Sequence, residues 1–198
     1  RTVALWRSGK LPQPLRADDA LLRHATFRAV QDEALARRAA CRALRAAGIH
    51  VEVVHDVDDL PYREAAERLL RRLLRLHRRR PGRSVAVVTS GEVAVPLPAN
   101  PGIGGRNLQF ALHLARRIRG LPITALSCGT DGVDGVAPAA GAVVDGHTAA
   151  RARRAGFATG DHLRGCDAFA PLDAIGDTVV TGPTGTNVRD LRILVWRD

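Results

Sequence analysis

The chain has 198 residues, 45% of them hydrophobic but only 4% aromatic, so one large domain or two small ones can be built on a core of Leu, Val, Ala and Ile. No apolar run reaches bilayer-spanning length and no stretch has the ordered regions of a signal peptide, which leaves a soluble, cytoplasmic protein without a membrane partner as the expectation. The formal net charge of +10 would raise nucleic acid as a partner, but Lys10 is the only lysine and the arginines are scattered through helical text with no interleaved aromatics, so no nucleic-acid partner is expected.

The first twenty residues carry loop signals (SGK, PQP, DD) and little periodicity. From there Ala, Leu and Arg at helical spacing predict a helix over 21–47, stopped by Gly48. IHVEVV, residues 49–54, alternates as a strand does. Pro61 opens a second helix running to about His77, apolar at Leu69, Leu70, Leu73 and Leu74 and solvated elsewhere. SVAVVT, residues 84–89, is a near-continuous apolar strand, as in a sheet covered on both faces. A helix follows over 107–119, a strand over 122–126, another over 140–144, and a helix over 148–155 ended by Gly156. A weaker helix is predicted over 167–175, a short strand over 178–180 and a terminal strand over 191–196. Strands alternating with helices imply a layered α/β/α fold with a mixed sheet and glycine-rich loops at strand ends.

Three such loops carry the candidate chemistry. GIGGRN, residues 102–107, opens a helix; Gly104 and Gly105 let backbone N–H groups approach an anion, and Arg106 adds a permanent fork for carboxylate or phosphate. SCGTDGVDG, residues 127–135, sets Asp131 and Asp134 in a backbone that can bend freely, able to cap a turn, hold Mg²⁺ or accept a proton. TGPTGTNVRD, residues 181–190, offers Thr184, Gly185, Thr186 and Asn187 to a phosphate or polyhydroxy ligand, or forms a tight turn before the last strand. Cys41, Cys128 and Cys166 form no CxxC pair and the seven histidines no ligand spacing, so no disulfide framework is expected and no metal ligand is assigned. The chain starts at Arg1 and holds no methionine, which reads as a fragment, a trimmed chain or a mis-called reading frame.

SGE, then GGRN, GTDGVDG, AAGAVVDG and GDTVVTGPTGTNVRDLRILV, in that order over 84–195, resemble the C-terminal MOFRL region of glycerate 2-kinases, often named hydroxypyruvate reductases in older usage. The resemblance implies a MOFRL domain over 83–198, preceded at 1–82 by the helix–strand–helix tail of an N-terminal lobe. It implies transfer of the ATP γ-phosphoryl group to D-glycerate with Mg²⁺, in a cleft between two α/β lobes. On that basis Arg106 and Asp131 are the candidate catalytic residues. Glu92, Gly104, Gly105, Asn107, Thr130, Asp134, Thr184, Gly185, Thr186 and Asn187 are the candidate binding residues.

The chain departs from the family pattern at several places. GGRNQE is GGRNLQ here, with Gln109 in place of the acid; NDSYTFF is CDAFAPL, keeping Asp167 but placing Cys166 and Ala168 beside it; GSN is AVQ at 29–31. The N-terminal lobe and its lysine have no counterpart, and Lys10 does not match that motif. That lobe is the implied partner, with a homodimer as the candidate assembly, and without it the apolar helix faces of residues 1–80 are expected to be exposed. Two readings stay open: the C-terminal part of a glycerate 2-kinase, or a decayed MOFRL domain that binds a small anion or a partner chain. A third, an NAD(P)-dependent reductase, lacks a G-x-G-x-x-G after a strand.

Overall fold

The computed structural model describes residues 2–9, 15–16, 18–26 and 30–198, in two compact units, residues 1–30 and 31–198. The first unit holds a helix α1 (Thr2–Arg7) and a 3-10 turn (Ala20–Leu22) capped by Asp19, which accepts from Leu21 N at 3.0 Å. Lys10, the PQP stretch at 12–14 and Ala29 of the AVQ stretch lie outside the described residues.

The second unit begins with α2 (Glu33–Ala46), β1 (His50–Val53), α3 (Tyr62–Arg79) and β2 (Val85–Ser90). It continues through α4 (Arg106–Arg117), β3 (Ile123–Gly129), β4 (Gly141–Asp145), α5 (Thr148–Arg154), α6 (Thr159–Arg164), α7 (Phe169–Asp173), β5 (Thr178–Val179) and β6 (Asp190–Trp196). The strands form one mixed sheet in the order β1-β2-β6-β3-β4-β5. β1 and β2 run parallel, and the other pairs of these strands are antiparallel.

Helices lie on both faces, as the α/β/α reading expected. On one, Cys41 of α2 packs with Val51, Ala86 and Val88. On the other, Leu69 and Leu73 of α3 and Leu108 and Leu112 of α4 pack with Val85, Val87, Ala125 and Leu194. Successive residues of β2 thus go to opposite cores, and all four from Val85 to Val88 are fully buried. That is why the strand reads as an unbroken apolar run. The α3 stripe is covered by α4 and the sheet, so the exposed apolar faces expected for residues 1–80 are not found for this helix.

Four boundaries differ from the sequence reading. The helix expected over 21–47 is only α2, because Asp32 caps it, accepting from Leu35 N at 2.7 Å. Its far end behaves as expected: Gly48 is left-handed (φ 77°), with Gly48 N on Arg45 O and Ile49 N on Leu44 O. β3 runs three residues past Leu126, because Ser127, Cys128 and Gly129 pair with Arg192, Leu191 and Asp190 of β6. α6 was not foreseen, since TGDHLR buries only Leu163. The weak helix over 167–175 shrinks to α7.

Candidate functional site

The antiparallel pairing sets the site. Ser90 lies opposite Leu191 and Gly129 opposite Asp190, so the exit of β2, the entry of β6 and the exit of β3 meet at one edge of the sheet. Glu92, Asp190 and Thr130–Asp131 therefore converge there. Asp134 brings the start of α4 to the same place. Its carboxylate accepts from Asn107 N at 3.0 Å, Leu108 N at 2.8 Å and Asn107 Nδ2 at 3.2 Å. This is a helix cap supplied from another loop, and it favours a negative charge at that end. Burial still pushes the Asp134 carboxyl above its usual range, with Asp190 adding to the effect. Gly105 is needed for the approach, because a Cβ there would lie 2.4 Å from the Asp134 carbonyl carbon.

Arg106 is the first residue of α4. Its Nε and Nη2 donate to the two oxygens of Asp190 at 2.7 and 3.1 Å, and Nη2 also lies 3.1 Å from Glu92 Oε1. The bidentate bond to Asp190 raises the Arg106 pKa further. Behind Asp190 stands Arg192, 1% exposed, donating from Nη2 to Asp190 Oδ2 at 2.9 Å and Asn107 Oδ1 at 3.1 Å, and from Nη1 to Gly91 O at 2.9 Å. Ser127 Oγ completes the chain, donating to Asn107 Oδ1 at 2.7 Å. Sequence reasoning missed Asp190, Arg192 and Ser127. A signal for Arg192 existed: strand alternation puts it on the same face as Leu194, where an arginine needs a buried partner.

The second and third loops are laced together. Thr130 Oγ1 donates to Arg189 O at 2.7 Å and accepts from Val188 N at 2.8 Å. Thr184 Oγ1 donates to Thr130 O at 2.6 Å, and Thr184 N to Asp131 O at 3.0 Å. Asp131 accepts from Val133 N at 3.2 Å and Asn187 Nδ2 at 3.4 Å, and Thr186 Oγ1 donates to Gln31 at 2.9 Å. Gly185 turns with φ 72°. Gly132 has φ 88°, and a Cβ on it would meet Gly182 O at 2.0 Å, so the two loops touch only because residue 132 is glycine. A further anchor, also missed from the sequence, is Arg189. It makes two 2.7 Å bonds to Asp58, whose Oδ1 accepts from Glu92 N at the same distance.

A cleft of about 480 Å³ opens on this corner. Of the candidate residues, Gly104, Gly105, Arg106, Asp131 and Asp134 line it, with Val93, Val95 and Val136 as apolar wall. Glu92 reaches it through Arg106. Asn107 is buried beneath, and the hydroxyls of Thr130, Thr184 and Thr186 are engaged in loop-to-loop bonds rather than lining it. Cys128 is not poised as a nucleophile, since burial pushes its thiol up to about 11. No group of three or more His, Cys, Asp or Glu among the described residues could hold a metal ion. A second cleft, about 610 Å³, is lined by Arg116, Arg117 and Arg153, which close the last turns of α4 and α5 where basic side chains complement the helix dipoles.

Two of the departures from the family pattern touch each other. Gln109, 2% exposed, donates from Nε2 to Leu163 O at 2.6 Å and to Cys166 Sγ at 3.6 Å. Cys166 Sγ donates in turn to Pro96 O at 3.6 Å. Asp167 accepts from Ile103 N at 3.0 Å and so steadies the first glycine loop.

A family model described as the MOFRL family matches residues 85–190. A D-glycerate 2-kinase of Thermotoga maritima is 42% identical over 109 residues, which are 54% of this chain and 26% of that protein. The crystal structure of a glycerate kinase from Thermotoga maritima matches with a TM-score of 0.79 at 32% identity, covering 87% of this chain and 42% of that one. A crystal structure from Pyrococcus horikoshii matches with a TM-score of 0.80 at 26% identity, covering 99% and 45%. The chain spans about a quarter of the length of that curated relative and less than half of the solved chains.

Proposed function

The chain belongs to the MOFRL family, and from that premise we propose that it forms the MOFRL-bearing part of a cytoplasmic, ATP-dependent glycerate 2-kinase. On this reading residues 83–198 are the MOFRL domain and 1–82 the tail of an N-terminal lobe. That lobe, with a lysine, would complete the cleft. The observation that carries the proposal is Arg106, held by Asp190 at the cleft wall with Nη1 free of hydrogen bonds among the described residues. A fixed guanidinium suits the charge that spreads over a phosphoryl group in transfer.

In the proposed reaction the 2-hydroxyl oxygen of glycerate bonds to the γ-phosphorus as the bond to the ADP oxygen breaks. Arg106 stabilises the transferring group. Asp131 orients the hydroxyl and takes its proton. Gly104 and Gly105 let the ligand come close to the backbone. Asn107, Asp134, Thr130, Thr184, Gly185, Thr186 and Asn187 hold the three loops in register, and Glu92 steadies Arg106. Mg²⁺ usually takes one or two carboxylates plus substrate phosphates, and Asp131 on the cleft wall fits that habit. When bound, the ion would neutralise the phosphates. The decayed-domain reading would leave altered positions unsatisfied, but Gln109 and Cys166 satisfy each other.

The test is ATP-dependent phosphorylation of D-glycerate by the full-length protein. Asp131→Ala should lower turnover at least about a hundredfold with an unchanged unfolding midpoint. Near-normal turnover in that variant sinks the role given to Asp131.

A further inference from the structure

We propose that Arg192 is a positioning residue for Arg106: through Asp190 it fixes the guanidinium and balances the charge around it, so that Arg106 keeps its pull on an anion in the cleft. The inference rests on the proposed function only in taking Arg106 as the anion-facing group.

Two carboxylates, Glu92 and Asp190, contact Arg106 at 3.1 and 2.7 Å. Those three groups alone would make this corner of the cleft net negative and turn an anion away. Arg192 supplies a second positive charge from below, 2.9 Å from Asp190, and so offsets one of the two carboxylates that contact Arg106. It does so at a visible cost. Arg192 is almost wholly buried, and its Nε has no hydrogen-bond partner among the described residues. Burial lowers the pKa of its guanidinium. A buried ion pair with an orphaned donor is poor stabilisation compared with an apolar side chain of the same size. Its position answers that cost with geometry. Arg192 is bonded at once to Gly91 after β2, to Asp190 on β6 and to Asn107 at the start of α4. Those three elements form the corner from which Arg106 projects. The carboxylate plane of Asp190 is thereby set on one side by Arg192 and presented on the other to Nε and Nη2 of Arg106, leaving Nη1 for the ligand.

The test uses the 198-residue chain, inorganic pyrophosphate as the probe and the ¹⁵Nε–H resonance of Arg106 as the readout. Only the binding that Arg106→Met removes is counted. Arg192→Met, close in volume but neutral, should weaken that binding about three- to tenfold, the effect of a unit charge near a protein surface. Arg192→Lys should restore most of it. Asp190→Asn should act oppositely on charge, broadening the Arg106 Nε–H signal without weakening binding, whereas a merely structural role would lower affinity in both neutral variants. Wild-type affinity and an unchanged Arg106 signal in a folded Arg192→Met chain overturn the proposal. If that variant does not fold, Arg192→Lys decides: affinity within about twofold of wild type supports the proposal, and a loss beyond about tenfold overturns it. If wild type itself binds no pyrophosphate, the anion-binding reading of the cleft fails. Positioning is then decided by the Nε–H signal, which must broaden in Arg192→Met for the proposal to stand.

Discussion

Replacing Gln109 with the acid of the family pattern puts a carboxylate where an amide now donates 2.6 Å to Leu163 O. At 2% exposure that oxygen meets another oxygen away from bulk solvent. Gln109→Glu is therefore expected to cost about 2–4 kcal/mol at pH 7, the penalty of an unsatisfied buried charge. Cys166→Asn alone should be near neutral, because residue 166 has φ 50°, a region that asparagine tolerates better than cysteine does. In the double variant the asparagine amide can donate to the new carboxylate, so the two changes should couple favourably by about 1–3 kcal/mol. The acid's folded pKa is raised by burial, so the single variant's loss should shrink as pH falls from that value toward about 4.3, the unfolded value, where a protonated carboxyl can donate to Leu163 O. Urea unfolding of the four chains at pH 7 and pH 5 measures all of this. Costs that add within about 0.5 kcal/mol, or a Gln109→Glu chain as stable as wild type, would refute the claim that these two positions changed as a pair.

His113 gives a separate pH signature. Burial, with Arg63 nearby, lowers its pKa from 6.5 to about 4, while Glu67 at 3.7 Å pulls the other way. A lowered histidine makes the fold prefer the neutral form, so stability should be full above pH 6.5 and fall by about 2–4 kcal/mol between pH 6.5 and 4. His113→Gln should flatten that part of the curve, and an unchanged slope would assign it to other groups. The glycines separate strain from clash. Gly132→Ala, which meets Gly182 O at 2.0 Å, should cost more than about 2 kcal/mol. Gly176→Ala, with φ 72° and none of the described residues within 4 Å of the added Cβ, should cost about 1 kcal/mol by thermal unfolding. Equal losses would mean that the two loops do not touch.

The elements with their own local code were readable in the sequence. Gly48 closes α2 because a left-handed residue is what the helix end needs, and the run from Val85 to Val88 announces a strand buried on both faces. The glycine loops were legible as sites, and the order of the blocks gave the family. What could not be read is what lies far along the chain but close in space. Asp134 shows in the sequence as one more loop carboxylate, yet it caps a helix whose first residues lie 26 and 27 positions back. Gln109 and Cys166 are separated by 57 residues and looked like two independent losses. Arg192 carries no partner signal of its own within LRILVW, and the strand's register turns it inward. Ser127 to Gly129 carry weak strand propensity and are strand because β6 and β4 hold them on either side.

The place of β6 has a consequence for how the molecule is made. A ribosome delivers β1 and β2, then β3, β4 and β5, and only afterwards the strand that lies between the two groups. Until residue 196 exists, β2 and β3 each show an unpaired edge to the cell, and the corner that holds Arg106 has no Asp190 to close it. Joining them requires pairing β2 with a segment about a hundred residues later, a slow kind of closure. A nascent chain stalled or clipped just short of β6 would leave two sticky half-sheets for chaperones and proteases rather than a shortened fold. Assembly of the corner around Arg106 thus waits for β6.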